Sequence, residues 1–392
     1  MVKYEITRTF HPVGQGAFYS ERHNDFNIVY DCGAMPLSGY TKSVVRNAFS
    51  AHEDIDVLFI SHFDYDHVSA ISTLLKSVRS IKRVVLPLLD ESTTVLLTNI
   101  NRALSHNILK LIGDPELFFG KNTQIIYVAQ SSNEDSEAID PINLDLRELP
   151  KGSKQNRIIK SGTNLNIGGS MDWVCVPYNY LNKERKVTVI TGLNNAGFNV
   201  LALQSDAAYT LHKITTASER RKLRATYTQL DGNINENSML LYSGPRGKTD
   251  DELFHVCDPE CSCSISEYCK YCYLVYKVGC IFTGDSDFNK IELSDIYSEF
   301  MDFVGIIQIP HHGSKNSFSI DMLRDFKWSV FCPVSYGTKN RYGHPAAEVI
   351  NQLSRLGHKA ILVNEQPDSN FKQTIKVLSK GYLMVQQAIR SF

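Results

Sequence analysis

The sequence predicts an α/β protein in which strands and helices alternate in layers, and three observations carry that expectation. Apolar runs of strand length recur along the chain, as in Val57-Leu58-Phe59-Ile60. Between them stand segments with helical spacing, as at Ile71, Leu74, Leu75 and Val78. Several apolar runs end on Asp or His, or carry one in the next loop: Asp31, His62 to His67, Asp285, His311-His312 and His344. Layered α/β proteins gather their sites where strand-end loops converge, so these residues are expected to share one site.

In chain order, residues 4–10 and 26–30 read as strands, with Gly14-Gln15-Gly16 as a turn and Gly33 suited to a sharp turn after Asp31-Cys32. A helix is expected over 43–50, then a strand over 56–61, a helix over 67–78 and a strand over 81–88. Residues 131–159 are polar and read as a loop or insertion. Strands are expected again at 171–176, 186–190 and 200–204. Arg220-Arg221-Lys222-Leu223-Arg224 reads as a basic helical run, either a solvated face or a phosphate-contacting patch. The pattern closes with strands at 239–242, 280–282, 304–309 and 329–334, a helix over 346–356, and strands near 360–364 and 380–386.

Composition bounds the function classes. The 392 residues carry a formal net charge of -1, so no global basic field marks the chain for nucleic acid. No stretch reaches the ~18 apolar residues of a membrane span, and Met1-Val2-Lys3-Tyr4-Glu5 lacks the apolar core of a signal peptide. A soluble cytoplasmic protein without a membrane partner is therefore expected. Its nine cysteines are then thiols or metal ligands rather than disulfides.

The strongest chemical signal is His62-Phe63-Asp64-Tyr65-Asp66-His67, two His and two Asp within six residues after a buried-type strand. Imidazole nitrogens and carboxylate oxygens crowded onto one strand-end loop suit one or two borderline metal ions. Together with pieces elsewhere in the chain, this loop resembles the metallo-β-lactamase superfamily, whose signature is His-x-His-x-Asp-His. Within that superfamily it is most similar to the hydrolase domain of the ComEC competence proteins. The matching pieces are Val13-Gly14-Gln15-Gly16, Tyr30-Asp31-Cys32-Gly33, Ser61-His62-x-Asp64-x-Asp66-His67, Asn235-x-Asn237-Ser238, Thr283-Gly284-Asp285, Pro310-His311-His312-Gly313-Ser314 and Asn340-x-Tyr342-Gly343-His344-Pro345, in family order.

The resemblance implies a single αββα sandwich over residues 1–392, with its metal site at one edge of two sheets. It implies His62 and Asp64 on one ion, Asp66 and His67 on a second with His344 as a further ligand, and Asp285 bridging both. Asp31 would orient ligands from beneath, and His311 or His312 would face the substrate as acid, phosphate contact or ligand. Asp64 stands where most of the superfamily has a second His. This harder oxygen ligand admits Mn²⁺ beside Zn²⁺. The third-motif His has no counterpart in context; His212 and His255 match it by type alone.

The implied activity is metal-dependent hydrolysis of phosphodiesters by a metal-bound hydroxide, with Asp66, His311 and His312 in the reacting set. Nucleic acid or a nucleotide is the implied substrate, in nucleic-acid turnover or antiphage defence rather than DNA uptake. A small-ester or lactone hydrolase and a non-catalytic sensor subunit are the alternatives. Residues 90–160 are expected to be a variable insertion. Residues 250–279 are expected to be a cysteine-rich zinc-binding insertion, with ligands drawn from His255, Cys257, Cys261, Cys263, Cys269 and Cys272 and a protein partner docking through the insertions. Cys32, Cys175, Cys280 and Cys332 read as core thiols.

Overall fold

Alternation of side chains along the strands builds four layers. In the first sheet, Ile28 and Tyr30 face one apolar cluster while Val29 faces another, and Val57 and Phe59 part from Leu58 in the same way. In the second sheet, Met239 and Leu241 join Ile28 and Tyr30, whereas Leu240 and Tyr242 face a third cluster. Successive strand side chains point to opposite faces. Three clusters and two large sheets, beside the small pair Asp54–Ile55 and Ser80–Ile81, therefore mean helix, sheet, sheet, helix: the αββα sandwich. This is a computed structural model, and it describes residues 2–131, 143–148, 156–167, 172–180, 183–229, 238–247, 252–257, 273–274, 277–324 and 326–379.

The first sheet runs in the order Arg157–Ile159, Gln124–Val128, Arg83–Pro87, Val57–Phe59, Asn27–Cys32, Phe18–Arg22, Val2–Phe10, Phe371–Ser379, Glu252–Cys257 and Tyr273–Leu274. The second runs Asn143–Asp145, Asn164–Asn166, Trp173–Tyr180, Met239–Pro245, Gly279–Phe282, Val304–Ile307, Phe331–Ser335 and Lys359–Val363, with Gln130–Ser131 beside Trp173–Tyr180. Asn27–Cys32, Val57–Phe59, Arg83–Pro87 and Gln124–Val128 are mutually parallel, as are Gly279–Phe282, Val304–Ile307, Phe331–Ser335 and Lys359–Val363. The loops after these parallel runs carry the chemistry.

A buried ion pair ties the sheets together in the interior. Arg8 Nε donates to Glu21 Oε1 at 2.6 Å, with both side chains almost fully enclosed. The rest of the guanidinium donates to the carbonyls of Val278 and Ser243 and to Gln373 Oε1. Ser243 Oγ donates to Glu21 Oε2 at 2.6 Å and accepts from the Trp173 indole. A charge taken out of water must find such partners.

The helix Gly39–Ala48 is capped by Ser38, whose Oγ accepts from the Thr41 N–H at 3.0 Å. The helix expected over 67–78 is instead two short pieces, Tyr65–Val68 and Ile71–Leu75. The strands expected at 186–190 and 200–204 are helices, Lys183–Asn195 and Val200–Ser205. Their β-branched residues read locally as strand, yet Val189, Leu193, Val200 and Leu203 pack into the first outer helical layer, and tertiary burial overrides propensity. A local signal existed at Asn199, whose Oδ1 accepts from the Ala202 N–H as a helix cap. Within 90–160, Glu91–Ala103 is a helix on the same layer and Gln124–Val128 is an internal strand of the first sheet. The strand expected at 380–386 lies outside the described residues. No described helix is long and apolar enough to cross a membrane.

Candidate metal centre

The polar loop after Val57–Phe59 is pinned from below. Asp31 sits at φ 54°, and its carboxylate accepts from the Ser61 N–H at 2.7 Å and the Ser61 hydroxyl at 2.6 Å. The same Oδ2 accepts from His67 Nδ1 at 2.8 Å. From above, the Ala17 N–H donates to the Asp66 carbonyl at 3.1 Å. Close packing at this point requires glycine: a Cβ on Gly33 would lie 2.5 Å from the Asp66 carbonyl oxygen. Gly284, at φ 54°, likewise leaves room for Ser238 Oγ, which accepts from the Asp285 N–H at 2.9 Å.

These bonds fix the imidazole tautomers. Asp31 can only accept, so the Ser61 hydroxyl donates to it and offers lone pairs to His62 Nδ1 at 2.8 Å. His62 Nδ1 therefore carries its proton, and Nε2 is left bare. His67 Nδ1 donates to Asp31 and leaves the same bare Nε2. His312 Nδ1 donates to the Ser335 carbonyl at 2.8 Å and turns Nε2 inward, where it hydrogen-bonds Asp66 Oδ2. Holding Nδ1–H so that Nε2 can ligate is the usual outer support of a metal-binding histidine.

The bare nitrogens meet carboxylates. His67 Nε2 lies 3.1 Å from Asp285 Oδ1, and His62 Nε2 lies 3.7 Å from Asp285 Oδ2 and 3.6 Å from Asp64 Oδ2. His312 Nε2 lies 3.0 Å from Asp66 Oδ2. Two groups result, His62–His67–Asp285 and Asp66–His67–His312, each with its ligand atoms within 4.8 Å of one another. His62 Nε2, His67 Nε2 and Asp285 Oδ1 are buried with no hydrogen-bond partner. Lone pairs facing lone pairs in a buried pocket require a proton or a cation between them. The donor set, imidazole nitrogen with carboxylate oxygen, fits a divalent ion of the Zn²⁺ or Mn²⁺ type.

The charges respond to one another. Burial alone would pull the His67 imidazole down, but the carboxylates of Asp285 and Asp31 outweigh it and hold it well above its ordinary range. His312 is raised against the same burial by Asp66 and Asp285. Burial would raise Asp285, yet His67, His311 and His62 hold it well below the usual carboxylate range, and Asp66 is lowered through His312 and His67.

Backbone strain gathers here. Among the described residues, the non-glycine positions with positive φ are Asp31, Ser105, His311 at 49° and His312 at 56°, and three of those four belong to this end of the sandwich. His311 Nδ1 lies 3.0 Å from Ser317 Oγ, and its ring centroid is 5.7 Å from that of His344. The His344 loop is pinned by Asn340, which donates to the His344 carbonyl and accepts from its N–H. His344 is in neither ligand group, and His312 completes the second one. Asp64 borders the first group through His62. His212 lies exposed at the end of the helix Tyr209–His212, outside both groups.

Sequence reasoning did not assign the supporting roles of Ser61, Ser335 and Ser317. The Asp31-to-Ser61 bond spans 30 residues, and a backbone carbonyl such as that of Ser335 leaves no side-chain signal.

No protein-family model matches the chain, and no curated protein matches it. Among solved structures it is similar to the metallo-β-lactamase fold protein YhfI from Bacillus subtilis, at 7% identity and TM-score 0.38, over 94% of this chain and 100% of that one. It is also similar to human tRNase Z, short form, at 10% identity and TM-score 0.36, over 92% of this chain and 92% of that one. The αββα architecture itself stands on this chain's two sheets and three apolar clusters.

Cys32, Cys175, Cys280 and Cys332 are buried free thiols. Cys261, Cys263, Cys269 and Cys272 lie outside the described residues. The backbone of His255 and Cys257 belongs to Glu252–Cys257, which pairs with Phe371–Ser379 in the register His255 to Lys376 and Cys257 to Thr374. The cysteine-rich segment thus departs from a strand four places from Asn27–Cys32, roughly 19 Å across the sheet at the usual strand spacing.

Proposed function

We propose that the protein is a metal-dependent hydrolase of phosphodiesters. The observation that carries this reading is the trio of buried, unpartnered ligand atoms: His62 Nε2, His67 Nε2 and Asp285 Oδ1. His62, His67 and Asp285 would hold one ion, with Asp64 at its margin. Asp66 and His312 would hold a second beside His67. Bound ions would supply Lewis acidity toward a phosphoryl oxygen and lower the pKa of water. Asp31 and Ser61 keep His62 and His67 in the ligating tautomer and fix their rings. His311, held by Ser317 and outside both ligand groups, is assigned proton exchange with the leaving oxygen, with His344 beside it. The motif pattern from Val13 to Pro345 supports a phosphodiester over an ester or lactone. The same pattern supports a role in nucleic-acid turnover or defence against foreign DNA. We also propose that the cysteine-rich segment binds a structural Zn²⁺.

The test is turnover of bis-p-nitrophenyl phosphate, single- and double-stranded DNA, and RNA by protein loaded with Zn²⁺ or Mn²⁺, beside the Asp285→Asn variant. The wild type should cleave the diester and at least one polymer. The variant should lose bound metal, read by elemental analysis, and at least about a thousandfold in rate, the several kcal/mol that metal ions supply to a developing charge. Cleavage of the small diester alone would move the assignment to a small-substrate hydrolase. Bound metal with no turnover of any substrate would make the protein a sensor or binding subunit.

A further inference from the structure

A cavity of about 530 Å³ opens between the helices Gly39–Ala48 and Ile71–Leu75 on the outer helical layer. Three cations line it, Lys42, Arg46 and Lys76, with the hydroxyls of Ser72 and Thr73. No carboxylate is among its lining residues, and none of the three cations has an ion pair with a described residue. In a chain of formal net charge -1, three like charges around one concavity make a local positive field that favours an anion there.

The cavity adjoins the metal loop at two points. Ser69, buried in its wall, follows His67 by two residues. Asn107, also in the wall, follows His106, and the His106 ring stacks on Tyr65 with centroids 4.1 Å apart and planes at 26°. Tyr65 itself lies between Asp64 and Asp66. The cavity wall is thus joined to the ligand segment through Ser69 and through the half-buried Tyr65–His106 stack. Aromatic faces beside a cationic groove are what a single nucleic-acid strand uses, with bases on the rings and phosphates on the cations.

We propose that this cavity is a phosphate-binding exosite for the backbone of a single-stranded nucleic acid whose neighbouring phosphodiester lies at the metal centre. The choice of ligand rests on the phosphodiesterase reading above. Lys42, Arg46 and Lys76 hold flanking phosphates, Ser72 and Thr73 donate to their oxygens, and Tyr65–His106 supports a base between exosite and site.

Binding separates this proposal from catalysis. A fluorescein-labelled phosphorothioate oligothymidylate of about twelve nucleotides, within the span usual for one strand-binding surface, resists cleavage and reports by anisotropy on the full-length, metal-loaded protein. Changing Lys42→Gln, Arg46→Gln and Lys76→Gln together should weaken binding at least tenfold. The slope of log affinity against log salt should fall by about 2, since each phosphate contact on a single strand contributes about 0.7. Arg46→Lys alone keeps the charge and should retain most of the affinity. Unchanged affinity and salt slope in the triple variant would overturn the exosite. So would displacement of the oligonucleotide by ATP at concentrations matching the strand's own affinity, which would make the cavity a small-anion pocket. If strands bind through these cations but cleavable strands are never cut, the exosite stands and the phosphodiesterase reading falls.

Discussion

Two buried polar clusters sit in this sandwich, and they are built on opposite terms. In the interior, Arg8 and Glu21 are enclosed with their hydrogen-bonding groups engaged by Val278, Ser243 and Gln373. At the strand ends, His62, His67 and Asp285 are equally enclosed, yet the atoms they turn toward one another have no hydrogen-bond partner. The first cluster is closed: it holds two sheets in register and has no capacity left for a ligand. The second holds the His62 and His67 rings rigid by their outer nitrogens and keeps the inner ones bare. Support on one side with unsatisfied lone pairs on the other is how a ligand site differs from a structural network. His23 lies between the two cases. Its Nε2 is 3.5 Å from Glu21 Oε2 and makes no hydrogen bond, but among the described residues it belongs to no ligand group.

The comparison can be broken in three places. The largest effect is expected at Arg8. Arg8→Met leaves the Glu21 carboxylate buried without its cation and should cost about 3–5 kcal/mol in urea unfolding. Metal content per folded molecule should stay unchanged. The double change Arg8→Met with Glu21→Leu should recover much of the loss, because two charges are then no longer desolvated. Metal loss in either variant would mean the interior cluster is not independent of the site.

Asp31→Asn should act the other way round. It removes the carboxylate that accepts from both Ser61 and His67, so tautomer control of His62 and His67 is lost together. Metal affinity should fall about 10–100-fold, measured by competition with a chromogenic chelator. A variant with full affinity would show that the rings are held by packing alone.

The smallest effect is a pH dependence. Burial would raise the Glu21 carboxyl, but Arg8 and then His23 bring it down to about 2 from an ordinary 4.5. A carboxyl lowered by folding contributes stability above its unfolded value and loses it as pH falls toward the folded one. The stability gap between wild type and Glu21→Gln should therefore be level above about pH 4.5 and shrink between there and about pH 2. A gap that stays level across that window would mean the ion pair contributes nothing through charge.

Much of the candidate site was legible because its residues are adjacent in the chain. His62 to His67 fall within six consecutive residues, and His311 and His312 are neighbours, so chemical density alone marked them. The helical layer was not legible in the same way. Lys183–Asn195 carries Val187, Val189 and Ile190, which locally favour strand, and only burial of Val189 and Leu193 against the first sheet's outer face selects the helix. The place of His344 was also hidden. Its loop motif is plain, but whether the ring or His312 meets Asp66 depends on where two loops from different strands come to rest.

Sequence by itself determined the α/β class and the ligand types, because strand alternation and clustered His and Asp are properties of neighbouring residues. Tertiary structure alone decided which ligands group together, which imidazole nitrogens are bare, and that Lys42, Arg46 and Lys76 share one cavity. Several of those relations join residues far apart in the chain, 30 positions for Asp31 and Ser61 and 246 for Asp66 and His312. Pairings at that range are set by sheet order and loop packing, which no local pattern encodes.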